Sequence, residues 1–252
     1  SLDVLRGFAV LGILVMNIQS FAMIGSAYLN PTAFGDLTGG NYAVWFLSHL
    51  LADMKFMGIF SMLFGAGILL VTSRRESATG KSAGLHYRRM AWLLLFGLLH
   101  AYLLWYGDIL YTYALCGMLV YLFRKHRPAT LIFLGLVFVG IGSMTSILAH
   151  ASMPNWPVDS IQELEQGWRP SAEKIAEELA AYTGPYLGQF SHRANAAYFF
   201  QTFLFLAEFL WRAGGLMLVG MGLHKLGVFA AKRSTATYVT FIALAALVGI
   251  PL

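Results

Sequence analysis

Seven long apolar runs, almost free of charge, constrain this chain more than any other feature. They cover roughly 4–24, 43–72, 90–106, 109–123, 129–149, 197–223 and 235–252. About 20 helical residues cross the ~30 Å hydrocarbon core of a bilayer. Each run can do so, although 109–123 is short. Lipid offers no partner to backbone N–H and C=O groups, and no ten-residue alternating pattern suggests a barrel, so the runs must be helices. With 58% of residues apolar and only 12% charged, the chain cannot cover a soluble surface. Disordered and fibrous classes are excluded on the same ground. A disulfide scaffold is excluded too, because the single cysteine, Cys116, has no partner. The expected fold is an all-α polytopic membrane helix bundle of about seven spans.

The cations orient the bundle. Five of the 17 Lys and Arg residues lie in 73–89, three in 124–128, three in 224–234, and Arg6 stands near the start. If the runs alternate direction, these twelve share one side. The opposite short loops, 25–41 and 107–108, carry none. The positive-inside rule then puts the N-terminus in the cytoplasm. It also accounts for the net charge of +5 without invoking nucleic acid.

Three regions are expected. Residues 1–149 form a five-helix membrane core, and 150–196 an extracytoplasmic loop. Residues 197–252 supply further helices, the start of a truncated C-terminal domain. Within 43–72, the mixed stretch Asn41–Asp53 reads as a bent or interfacial lead-in, with the true span starting at Phe56. In the loop, Ser171–Tyr182 reads as a short amphipathic helix capped by Ser171. Ile175, Leu179 and Tyr182 form its stripe, and Lys174 pairs with Glu178. Such a loop is either a packing lid or a cap that binds a substrate. There is no initiator Met, and the sequence stops inside or just past an apolar run. The expectation is the N-terminal part of a longer protein with no cleaved signal peptide.

Polar groups at membrane depth are costly, so each is a candidate site. Asp3, Arg6, Val10, Ile13 and Asn17 recur at helical spacing on one face. That face serves either as a helix-end cap with one interhelical hydrogen bond or as part of a site. His49 and Asp53 stand four apart, a spacing at which a carboxylate can orient an imidazole. Ser61 and Gly65 make a small-residue packing face. His100 lies near the outer end of its helix, and Asp108 follows a short turn. The sixth run carries Glu208 and Arg212 four apart, expected as a buried ion pair. No metal site is expected, since no His pair, HExxH or paired-Cys spacing occurs.

The segments Ser1-Leu-Asp3-Val-Leu-Arg6-Gly7 with Asn17, Phe60-Ser-Met-Leu-Phe64-Gly-Ala-Gly67, Gly97-Leu-Leu-His100 and Gly107-Asp108-Ile-Leu-Tyr-Thr-Tyr113-Ala-Leu-Cys-Gly117 resemble the YeiB family of bacterial membrane proteins. The likeness is strong over about 1–125. More remotely, the first helix is similar to heparan-α-glucosaminide N-acetyltransferase and other transmembrane acyltransferases. These pass an acetyl group from cytosolic acetyl-CoA to an acceptor across the membrane. The resemblance implies Asn17 as an active-site residue, fourteen positions after Asp3. It implies a His ahead of Asp53, for which His49 is nearest at a shorter spacing. His100 and Asp108 belong to the YeiB pattern.

The expected function is therefore transmembrane acetyl transfer in the bacterial inner membrane. His100 or His49 would be the base, Asp108 or Asp53 its orienter, and Asn17 the oxyanion donor. Asp3 and Arg6 would face the acetyl-CoA donor. The expected partners are the lipid bilayer, a small-molecule acceptor of unknown identity and a second copy in a homodimer, with no nucleic acid. The rival expectation is a transporter whose path runs past Asp53, Glu208 and Arg212. Orientation is directly measurable. Cysteine reporters at Ser77 and Lys125 should react only from the cytoplasm and one at Asp159 only from outside; the reverse at Asp159 would invert the topology.

Overall fold

A computed structural model describes residues 2–249. Ser1 and the last three positions of the final apolar run lie outside the described residues. All secondary structure among the described residues is helical. The first half comprises α1 (Leu2–Ala22), α2 (Gly39–Leu51), α3 (Lys55–Thr79), α4 (Ala83–Leu103), α5 (Leu110–Val120) and α6 (Pro128–Ser152). Two short helices follow, α7 (Val158–Trp168) and α8 (Ala172–Thr183). Then α9 (Phe190–Phe199) passes through a π-helical segment, Phe200–Phe209, into α10 (Leu210–Lys225), and α11 covers Thr235–Leu244.

Each apolar run is largely helical over its described residues, but not every one has the dimensions of a span. Four helical runs are long and apolar enough to cross a membrane: Leu2–Ala22, Gly39–Thr79, Pro128–Asn155 and Phe190–Lys225. Helix α4 opens on Ala-Gly-Leu-His-Tyr-Arg-Arg, which shortens its apolar stretch. The apolar helices Leu110–Phe123 and Thr235–Leu247 are short. The chain is thus a membrane protein by its apolar helices; four runs among the described residues have the dimensions of a span, and the remaining three of the seven expected do not reach them.

The lead-in before α3 is a true break. Helix α2 ends at Leu51, Met54 adopts the left-handed φ of 57°, and α3 starts at Lys55. Left-handed geometry at a non-glycine residue costs about 1–3 kcal/mol and persists where the surroundings impose it.

The core is built around α10. Tyr113, Cys116, Val120, Leu131, Met217, Leu218 and Met221 are all buried in one cluster. The core does not stop at residue 149, because α10 packs on α3, α5 and α6. Glycines allow this approach. A Cβ at Gly65 would collide with the carbonyl oxygen of Met217, and one at Gly220 with that of Met62. Gly135 and Gly215 face each other across α6 and α10, each 2.6 Å from the other's carbonyl oxygen if given a Cβ. Within lipid, where no hydrophobic force drives helices together, such small-residue seams supply the van der Waals contact. Tyr113 links α5 to the same core through hydrogen bonds with Ser61 Oγ (2.6 Å) and the Met57 carbonyl (3.2 Å).

Segment 150–196 is largely helical. Ser171 caps α8 as expected, accepting from the Lys174 N–H at 3.3 Å. The expected Lys174–Glu178 pair does not form. Lys174 Nζ meets Gln166 on α7, and Glu178 Oε1 accepts from the Gly25 N–H at 2.8 Å. A tertiary donor fixed by the backbone outcompetes an exposed i,i+4 pair, which is worth only ~0.3–0.5 kcal/mol. The Trp168 carbonyl accepts from Asn30 Nδ2 at 2.9 Å. The segment is therefore fastened over the chain that follows α1, although Leu179 and Tyr182 stay 40% and 37% exposed.

The glycine seams predict an asymmetric mutational response. Gly65→Ala and Gly220→Ala should each lower stability by about 1–3 kcal/mol or more through overpacking. Gly140→Ala, with nothing within 4 Å of its Cβ position, should leave the melting temperature unchanged or slightly raised. Thermal unfolding in detergent checks all three.

Candidate functional site

The α4–α5 hairpin assembles the best-formed polar pair on the side of the bundle that bears segment 150–196. His100 sits in the last turn of α4, and Asp108 lies in the turn before α5. His100 Nδ1 and Asp108 Oδ2 are 2.9 Å apart. The other carboxylate oxygen, Oδ1, accepts from the Tyr111 N–H at 2.9 Å, satisfying one free donor of the first turn of α5. Gly97 makes this closure possible, since a Cβ there would stand 2.5 Å from the Tyr111 nitrogen and 2.9 Å from Asp108 Oδ1. The spacing Gly97…His100…Asp108 thus has a steric cause. The Asp108 side chain is 1% exposed and that of His100 37%. Burial pushes the Asp108 carboxyl above its usual range, against the opposing pull of the Tyr111 N–H and His100. With Nδ1 bound to the carboxylate, Nε2 is the nitrogen left for proton transfer.

Asn17 occupies the same end of α1. It is half-buried and makes no side-chain hydrogen bond among the described residues. One turn further, Phe21 packs edge-on against Trp105, with ring centroids 4.8 Å apart, and Trp105 lies 6.4 Å from the His100 ring.

The other sequence-derived candidates scatter. His49 and Asp53 do not pair, because the helix that would align them ends between them. His49 Nδ1 bonds the Trp45 carbonyl at 2.9 Å, and its ring lies against Trp45. Asp53, in the break, has a buried Oδ1 with no partner. Burial, together with the neighbouring Asp53 carboxylate, pushes the Tyr28 phenol up to about 12. Asp3 and Arg6 lie at the opposite end of α1, joined at 2.9 Å. Arg6 Nη2 reaches across to the Leu63 carbonyl at 3.3 Å, into space left by Gly67. Glu208 and Arg212 pair at 3.1 Å but remain 29% and 37% exposed, so the pair is not the buried one expected. The pair straddles the end of the π-helical segment and the start of α10, and Arg212 borders a cavity. That cavity, about 50 Å³, is lined by both Asp108 and Arg212.

Sequence reasoning missed Arg193. Only 3% exposed, it donates from Nε to the Tyr102 carbonyl at 2.8 Å and stacks 4.8 Å above the Tyr186 ring. Tyr186 itself donates to the Leu103 carbonyl. Both tie segment 150–196 to the C-terminal turn of α4, just above His100. A cation at the negative end of a helix is favourable, but contacts 91 residues apart leave no local signal. Six of the seven buried unpartnered polar atoms among the described residues come from this end: Ser26, Trp45, Asp53, Trp105, Arg193 and Gln201. Native proteins leave few such atoms without water or ligand.

Comparison with known proteins brings in three relatives. The chain is 28% identical over its whole length to the uncharacterized protein YeiB of Escherichia coli, of which it spans 63%. It is 37% identical over 140 residues to the uncharacterized protein YxaH of Bacillus subtilis, covering 52% of this chain and 34% of that one. An uncharacterized 39.9 kDa protein of Bacillus acidopullulyticus is 34% identical over 144 residues, 56% of this chain and 39% of its own. No family model matches, and no solved structure matches.

The hairpin geometry separates two roles of Asp108. Asp108→Ala removes the acceptor for the Tyr111 N–H and should destabilise by about 1–2 kcal/mol. His100→Gln removes no backbone partner and should change stability by less than about 1 kcal/mol. Equal losses of melting temperature in the two variants would contradict the capping role.

Proposed function

Taking its similarity to YeiB and YxaH as the premise, we propose that this chain is the motif-bearing part of a transmembrane acyltransferase. The observation that carries the reading is the His100–Asp108 pair, half-open on His100 and shut on Asp108, at the end of the bundle where unpartnered polar atoms gather. Asp108 holds the imidazole by Nδ1, and His100 takes a proton through Nε2 from an acceptor amine or hydroxyl. The acceptor attacks the thioester carbonyl of acetyl-CoA. Asn17 donates a hydrogen bond to the oxygen as it becomes an oxyanion. The carbon–sulfur bond then breaks, and the thiolate leaves with the proton returned by His100. Asp3 and Arg6, at the Lys- and Arg-rich end, would meet the donor from the cytoplasm. Segment 150–196, fastened above His100 through Tyr186 and Arg193, covers the acceptor side.

A carrier function is the second reading. One observation favours it: Asp108 and Arg212 line the same cavity. The cavity, about 50 Å³, has room for a few water molecules.

Labelled acetyl-CoA given to the full-length protein in liposomes distinguishes the two. The expected outcome is labelled acceptor or labelled protein. His100→Gln should cut the rate by about 10²–10⁴-fold and Asn17→Ala by about 10²–10³-fold. Absence of transfer in the wild type across a panel of amine and hydroxyl acceptors overturns the proposal.

A further inference from the structure

We infer that the Lys- and Arg-rich end of the bundle carries a phosphate-binding cleft formed by α3, the turn after α5, and α10. A cleft of about 610 Å³ opens there, lined by Thr72, Glu76, Arg124, Lys125, His224 and Lys225. Small-molecule sites commonly fall between about 300 and 1,000 Å³. Three cations face the single carboxylate of Glu76, so the cleft is positive even with that acid ionised.

The donors divide into those already engaged and those left over. Arg124 Nη2 bonds Glu76 Oε1 at 3.2 Å, and its guanidinium lies 3.9 Å above the Tyr121 ring, which fixes its plane. Its Nε is buried and has no partner. This is the one unpartnered buried polar side-chain atom at this end of the bundle among the described residues. Lys225 Nζ is held by the Arg124 and His126 carbonyls, each at 2.7 Å. It keeps its charge at the cleft while bracing the turn. Lys125 and His224 make no side-chain hydrogen bond among the described residues. Arg124 Nη1 also donates to the Tyr121 carbonyl at 3.4 Å, so the unspent donors that open on the cleft come from Lys125 and His224, on segments about 100 residues apart.

The positive-inside rule does not explain this arrangement. It requires cations in loops, and most of those on this side, including Arg74, Arg75, Lys81, Arg88 and Arg89, stand outside the cleft. Only Arg124, Lys125 and Lys225 line it. Donors that approach from different helices suit a tetrahedral anion with several acceptor oxygens better than a planar carboxylate. The cleft lies at helix ends, where both a phospholipid headgroup and a free phosphate compound can arrive. It stands at the opposite end of the bundle from His100 and does not depend on the acyl-transfer reading.

The test uses full-length protein in phosphatidylcholine nanodiscs. One arm replaces part of the lipid with phosphatidylglycerol; the other titrates inorganic pyrophosphate into the phosphatidylcholine discs. Melting temperature and native mass spectrometry report binding. We expect at least one arm to bind and stabilise the protein, and the responding arm names the source. Lys125→Gln with His224→Gln should weaken that binding about tenfold, equivalent to the loss of one good charged hydrogen bond. Lys81→Gln, an exposed cation on the same side outside the cleft, should leave it unchanged. Both positions are exposed or half-buried, and an unchanged melting temperature without ligand confirms that the double variant folds. Binding in neither arm, or equal weakening by Lys81→Gln, overturns the inference.

Discussion

The direct approach of backbones at the α10 glycines is the contact on which the rest of the bundle depends. Gly65 and Gly220 bring α3 and α10 so close that carbonyl oxygens occupy the space of the missing Cβ atoms. Gly135 and Gly215 do the same between α6 and α10. Lipid tails are as apolar as leucine, so burying leucines between helices gains little there, and tight van der Waals contact must hold them. With α10 fixed between α3 and α6, α5 is held in the same core by Cys116 and Val120 and to α3 by the Tyr113–Ser61 hydrogen bond. The α4–α5 hairpin then has one rigid leg. A third close approach, Gly97 against the start of α5, closes the hairpin and brings His100 to Asp108. The site geometry is thus a product of glycine seams spread over four helices.

The two ends of the bundle resolve their polar groups differently. At the Lys- and Arg-rich end, cations meet carbonyls and two acids: Arg6 with Asp3 and Leu63, Arg124 with Glu76, Lys225 with two carbonyls. At the other end, buried donors and acceptors outnumber their partners. Unpartnered groups of this kind each cost about 1–3 kcal/mol, so a fold selected for stability alone would remove them. The left-handed Met54 beside Asp53 adds strain in the same region. The cost falls largely at the end of the bundle that carries the His100–Asp108 pair.

Much of the fold was legible because lipid leaves few choices. Apolar runs had to be helices, and mixed polarity across Asn41–Asp53 marked the break before α3. The Ser171 cap was legible because its cause is local. The His100–Asp108 pair could be read because a short turn leaves the two residues few ways to stay apart. Failures came where a local rule met a longer-range competitor. His49 and Asp53 have helical spacing, but the helix stops between them. Lys174 and Glu178 have it too, yet each found a partner outside α8. Arg193 carried no signal at all, since its partner is 91 residues away and is a carbonyl, which every residue has. The centrality of α10 was hidden for a similar reason. Its glycines look like weak points in a helix until the backbones they admit are known.

The placement of Asn17 follows from the register of α1. Residues four apart share a helical face, so Asn17 points the same way as Phe21, and Phe21 rests on Trp105 beside His100. The same face carries Ile13 one turn lower, and near the other end of the helix Arg6 reaches the Leu63 carbonyl on α3. One stripe therefore leans on α3 at its start and on the α4–α5 turn at its finish. A helix held at both ends cannot rotate Asn17 away without breaking either the Arg6 or the Phe21 contact. The indole N–H of Trp105 is buried without a partner, on the residue whose ring stands between those of Phe21 and His100 in the chain of contacts.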